Sequence, residues 1–136
     1  MSPELIKLMI QGIEETLFMV SISTLIAAII GIPLGITLVT TSKGHILENR
    51  VINQILGTIV NIIRSIPFII LLTWVMPVSR AIMGTAIYVR GAIVPLVFGA
   101  VPFFTRQVES ALAELDGGLI EAALSMGSTP LEIIFR

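Results

Sequence analysis

Thr16-Leu-Phe-Met-Val-Ser-Ile-Ser-Thr-Leu-Ile-Ala-Ala-Ile-Ile-Gly-Ile-Pro-Leu-Gly-Ile-Thr-Leu-Val-Thr-Thr-Ser42 contains no charged side chain. A bilayer core of roughly 30 Å needs about 20 helical residues to cross. This stretch is long enough, and it makes the chain an integral membrane protein with helices as its spanning elements. Ala27, Gly31 and Gly35 recur every fourth residue. Such a small-residue face lets a second helix approach closely. The spacing fits helix packing, or a direct place on a transport path. Pro33 predicts a kink.

Composition agrees. Of 136 residues, 55% are hydrophobic and 12% charged, and mean hydropathy is +1.02. Soluble domains carry about 25% charged residues, so lipid replaces water as the solvent for much of this surface. The net charge of −1 gives no electrostatic footprint for nucleic acid. There are no cysteines and one histidine, His45, so neither a thiolate metal site nor a histidine pair is expected. No P-loop, nucleophile–base pair or metal cluster is visible. The reading is therefore of a non-enzymatic chain that needs no cofactor.

Upstream of the first span, residues 2–15 read as an interfacial helix. Leu5, Leu8, Met9 and Ile13 fall on one face, with Glu4, Lys7, Gln11 and Glu14 elsewhere. The acidic residues here argue against a cleaved secretory signal, which opens with a basic region.

Downstream, residues 43–50 are a short polar loop and residues 51–79 a second apolar stretch with one charge, Arg64. Drawn out as a single helix, the second stretch would reach roughly 43 Å, more than one straight span needs. Asn53, Gln54, Asn61 and Ser65 make the first half the more polar. An ionisable group inside a span is expensive and usually has a partner or a task. Arg64 has three open placements: lining a pathway, pairing with a carboxylate such as Glu109, or snorkelling to the surface. Pro67 pushes its predecessor away from helical geometry. Residues 64–68 therefore hold a kink, either for packing or to turn carbonyls to a pathway. Asn61, Arg64, Ser65 and Pro67 are the candidate path residues.

Residues 82–105 form the third expected span. Gly91, Pro95 and Gly99 repeat every four residues and Pro102 follows, which predicts a bent helix buried in protein. Its apolar centre, residues 91–105, is short and is lengthened by Ile82–Val89 before it or by Gln107–Leu115 after it. Trp74 and Tyr88 fit an aromatic belt at one surface. Arg106 and Glu109, three apart, form a surface ion pair at the other. Three basic residues on one side against four on the other leave orientation undecided.

Residues 106–136 differ in kind, holding two of the eight basic and five of the nine acidic residues. Within them, Asp-Gly-Gly-Leu-Ile-Glu-Ala-Ala-Leu-Ser-Met-Gly-Ser-Thr-Pro-Leu-Glu (116–132) reads as two short helices. Gly117 and Gly118 break the preceding helix. Leu119, Ala122, Ala123 and Met126 make one apolar face. Gly127 stops the first helix, and Thr129, Pro130 and Glu132 start the second with a capping box. Such a pair suits a rigid docking knob, or an ordinary amphipathic surface helix.

Glu121-Ala122-Ala123, then Gly127 after three residues, resembles the EAA motif of ATP-binding-cassette (ABC) importer permeases. Asn61-Ile-Ile-Arg-Ser-Ile-Pro-Phe-Ile-Ile-Leu-Leu72 is similar to the second-span signature of the methionine-uptake subfamily. So are Ala92-Ile-Val-Pro-Leu96 and Arg106-Gln-Val-Glu109 to its third span. The resemblance covers nearly the whole chain. It implies the type I importer permease fold in a bacterial inner membrane, with the N-terminus outside. Two permease copies would pair across small-residue helix faces. Two ATPase subunits would dock on Leu119, Glu121, Ala122, Ala123, Met126 and Gly127, and an external binding lipoprotein would deliver methionine. The family pattern continues with Ile-x-Leu-Pro, whose Ile falls at position 137, and then two further spans. The expectation is thus of a C-terminally truncated permease. Rival readings are a permease for another polar amino acid or peptide, a fragment that docks without transporting, and a three-span membrane enzyme or assembly factor.

Overall fold

A computed structural model describes residues 2–136. The fold is all-α, with six helices among the described residues: α1 Pro3–Thr40, α2 Arg50–Ser65, α3 Phe68–Met83, α4 Tyr88–Ala113, α5 Gly117–Ser125 and α6 Pro130–Phe135. Helices α1 and α4 are each long and apolar enough to cross a membrane, and the bent pair α2–α3 adds a third crossing if it is taken as one broken span.

The expected interfacial helix is not a separate element. Residues 3–15 are the opening turns of the 38-residue α1. Ser2 caps it, its Oγ accepting from the Leu5 N–H, with Pro3 at the first position. No proline lies between Pro3 and Pro33, the helix runs through Gly12, and Gln11 donates to Glu15 one turn on. At about 57 Å α1 exceeds the bilayer core, which leaves its charged first third outside the hydrocarbon. The helix also continues through Pro33.

Helices α1 and α4 lie side by side and run parallel. Gly31 meets Val101 and Phe104, and Gly35, one turn later, meets Thr105 and Val108. Parallel neighbours require the chain to return between them, which α2 and α3 do. The stripe on α1 is filled by α4 of the same chain. Ala27 is fully buried, and a Cβ on Gly31 or Gly35 would stand 2.6 Å from the Cβ of Phe104 or Val108. Pairing of two copies across this face is thereby excluded, because it is already occupied.

The second expected span is two helices. The chain turns by 109° between α2 and α3, at Ile66 and Pro67, both of which are extended backbone. Pro67 cannot donate into a helix ladder, so the turn falls there. Helix α3 then runs antiparallel to α4: Phe68 and Leu71 pack on Gly99, and Ser79 sits beside Gly91. Leu71, Val75 and Val94 form a small core, backed by Ile63, Ile66 and Met83.

The third span is displaced from its expected bounds. It starts at Tyr88, because Gly84 ends α3 in the left-handed region with φ +76°, and it runs on to Ala113 rather than 105. It is one unbroken helix through Pro95 and Pro102. A proline at position 95 denies the Gly91 carbonyl its helical partner. The Ser79 hydroxyl, fully buried, donates to that carbonyl at 2.7 Å. A neighbouring helix thus repairs the ladder that Pro95 opens. Gly91 itself packs against the loop rather than a helix, since a Cβ there would lie 2.4 Å from the Ala86 carbonyl carbon.

Candidate functional site

Two places concentrate the sequence-predicted residues, and they lie at different levels of the molecule. The first is the helix pair α5–α6. Helix α4 ends at Ala113, so Gly117 and Gly118 are not breakers: they form the first turn of α5, where the Asp116 carboxylate accepts from the Gly118 N–H at 2.9 Å. Glycine fits because this first turn lies close to the capping carboxylate.

Helix α5 ends in a Schellman motif. Gly127, with φ +87°, donates to the Leu124 carbonyl at 3.0 Å, and Ser128 donates to Ala123 at 3.1 Å. A second cap follows immediately. The Thr129 hydroxyl accepts from the Glu132 N–H and the Glu132 carboxylate accepts from the Thr129 N–H at 2.8 Å. Two short helices, each too short to persist alone, are thus joined at a fixed angle by local hydrogen bonds.

What the pair leaves open is apolar. Neither helix has a buried residue. Leu119, Met126, Leu131 and Phe135 are 65%, 81%, 62% and 83% exposed. Glu121 and Ala122 are exposed and Ala123 half-buried. Glu121 also borders a cleft of about 410 Å³ between α5 and the α1–α2 loop, with His45 and Ile46 on its other wall.

The second place is the break between α2 and α3. Arg64, exposed in the last turn of α2, edges an apolar cleft of about 430 Å³ lined by Ile66, Phe68, Leu96, Gly99 and Phe103. Its charge complements the C-terminal dipole of α2. Arg64 is not bonded to Glu109, whose carboxylate is taken by Arg106. Ser65 donates back to the Asn61 carbonyl. The Asn61 side chain is turned to Arg106, accepting at 2.7 Å. Trp74 and Tyr88 are exposed, but Trp74 stands near the middle of α3 rather than level with Tyr88.

Sequence reasoning missed the reach of Arg106. Besides Glu109 it donates to the Gly57 carbonyl at 3.1 Å, tying α4 to α2. It also missed Asn53, which donates to the Leu38 carbonyl at 2.7 Å and so satisfies an orphan acceptor at the end of α1. The polar residues of α2 mark it as different, and these bonds are the reason.

Residues 31–136 match the family described as binding-protein-dependent transport system inner membrane component. The chain belongs to that family. It is 48% identical over 134 residues to the D-methionine transport system permease protein MetI of Salmonella typhimurium, covering 98% of this chain and 62% of the relative. The Escherichia coli K12 protein of the same description is 47% identical at the same coverage. The probable D-methionine permease of Vibrio cholerae is 50% identical over 127 residues, 93% of this chain and 56% of the relative. The chain thus spans about three-fifths of the length of the curated relatives it matches. A solved structure of the MetNI methionine ABC transporter in inward-facing conformations superposes with a TM-score of 0.97 at 46% identity, covering all of this chain and 63% of that one. The type I importer permease fold follows from that match.

Proposed function

We propose that this chain belongs to the membrane-spanning permease subunit of an ABC importer for methionine, a multi-pass protein of the bacterial inner membrane that leaves ATP hydrolysis to a separate subunit. The observation that carries the proposal is the α5–α6 pair. It is rigid, apolar and uncovered, and on a membrane protein such a surface marks a partner. Likeness to the MetNI methionine ABC transporter supports an ATPase as that partner. Leu119, Glu121, Ala122, Ala123 and Met126 form the docking face, and Gly127 fixes the angle to α6.

In this reading two permease copies and two ATPase subunits assemble, and an external binding lipoprotein presents the substrate. The copies pair through surfaces other than the Ala27–Gly31–Gly35 stripe. ATP binding draws the ATPase subunits together and moves α5–α6, and that motion switches access along a path bordered by Arg64, Ser65 and Pro67. The coupling is mechanical, which is why both caps matter.

Two measurements test it. Glu121→Lys with Gly127→Trp, introduced into the intact permease, abolishes co-purification of the ATPase while membrane insertion persists; retained co-purification overturns the docking role. Deletion of the gene removes uptake of labelled methionine. Normal methionine uptake with loss of another solute overturns the substrate and keeps the class.

A further inference from the structure

We infer that Arg106 is the positioning residue that makes α2 move with the docking pair, so that what the partner does at α5 is felt at the α2–α3 break. The inference rests on the importer reading and adds to it the element that carries the motion into the membrane.

The case is geometric. Arg106 lies two turns from the end of α4, and only Glu114–Asp116 separate α4 from α5. Its side chain is 23% exposed and is held between two helices. One side is fixed by Glu109 on its own helix. The other donates to the Gly57 carbonyl at 3.1 Å and to Asn61 Oδ1 at 2.7 Å. Charge-assisted bonds of this kind are about twice as strong as neutral ones. Asn61 stands one turn before the 109° break, and Arg64 on the next turn borders the cleft. The path from docking face to cleft is therefore α5, α4, Arg106, Asn61, and the end of α2.

At Gly57 itself the helices do not interlock. The residue has no side chain, and a Cβ added to it would reach only Arg106 and Leu38 at ordinary contact distance. The outer face of α2, with Val51, Ile55, Ile59 and Ile62, is exposed. Val60 is the buried residue of α2, and the hydrogen bonds that tie this stretch of α2 to α4 both come from the Arg106 guanidinium.

The test uses the full permease assembled with its ATPase and reads coupling rather than abundance. These 136 residues hold no cysteine; with any cysteines elsewhere in the assembly replaced, spin labels go on Ile59→Cys and Leu124→Cys. With Arg106 present, the label distance is the same without nucleotide and with ATP trapped. In Arg106→Ala it changes on ATP addition, and methionine taken up per ATP hydrolysed falls about tenfold, within the range of ordinary site-to-site coupling. The ATPase still co-purifies. Arg106→Lys, which keeps a donor for Asn61, recovers part of the ratio, and Asn61→Ala loses part of it without touching Glu109. An unchanged uptake-to-hydrolysis ratio in Arg106→Ala overturns the inference, as does a label distance that already changes with ATP when Arg106 is intact. Loss of ATPase co-purification in the parent protein would instead overturn the docking reading.

Discussion

The α1–α4 seam and the α5–α6 pair are built from the same small residues to opposite ends. In the seam, Ala27, Gly31 and Gly35 vanish beneath Val101, Phe104 and Val108, and the backbone approach itself is the contact. In the pair, Ala122, Ala123 and Gly127 leave the helix nearly bare, and order comes from caps that close locally. One region is held by tertiary packing and fails when volume is added. The other is held by local hydrogen bonds and leaves its apolar side chains exposed.

The largest effect belongs to the seam. Gly35→Leu forces α1 away from Thr105 and Val108, and overpacking without room to relax costs about 3 kcal/mol or more. The expected result is loss of folded protein from membranes, read by solubilised yield and protease resistance. Wild-type yield would mean that the two helices are not in contact.

Much of this was legible in the residues, and the misses share a cause. The i, i+4 recurrence of Ala27, Gly31 and Gly35 announces a helix contact but not whose. Pro67 announces a break, while the size of the turn depends on where α4 lets α3 lie. The caps around Gly127 and Thr129 are readable because each closes within a turn or so of chain. Arg106 and Asn61 lie far apart in sequence, and no local pattern reports a bond of that separation. The interfacial helix is no separate element because charges at Glu14 and Glu15 mark a change of solvent, not a change of backbone. The third span starts later than its apolar run suggests because Gly84 and the loop after it interrupt that run.

A medium effect sharpens the comparison within the packed region. Ser79→Ala leaves the Gly91 carbonyl without a donor and costs about 1–3 kcal/mol, measured as a lower melting temperature in detergent. In a Pro95→Ala background the helix ladder supplies its own N–H, and the Ser79→Ala cost falls toward zero. Equal costs in both backgrounds would contradict the repair of the proline gap.

The smallest stability effect lies in the pair. Thr129→Ala removes one cap and costs about 1 kcal/mol, confined to α6. It speeds amide exchange in residues 131–135 and leaves exchange along α1 unchanged. Faster exchange at Ala27 or Gly31 with α6 unaffected would reverse the assignment of local and tertiary order.

The central claim is that the exposed face of α5 is a docking surface. The most direct measurement is co-purification of the ATPase with the intact permease carrying Leu119→Asp and Met126→Asp. Both side chains are exposed, so membrane insertion and the α1–α4 seam stay intact. The account predicts a permease at normal levels with its ATPase lost. Full recovery of the ATPase with the doubly charged face would contradict it.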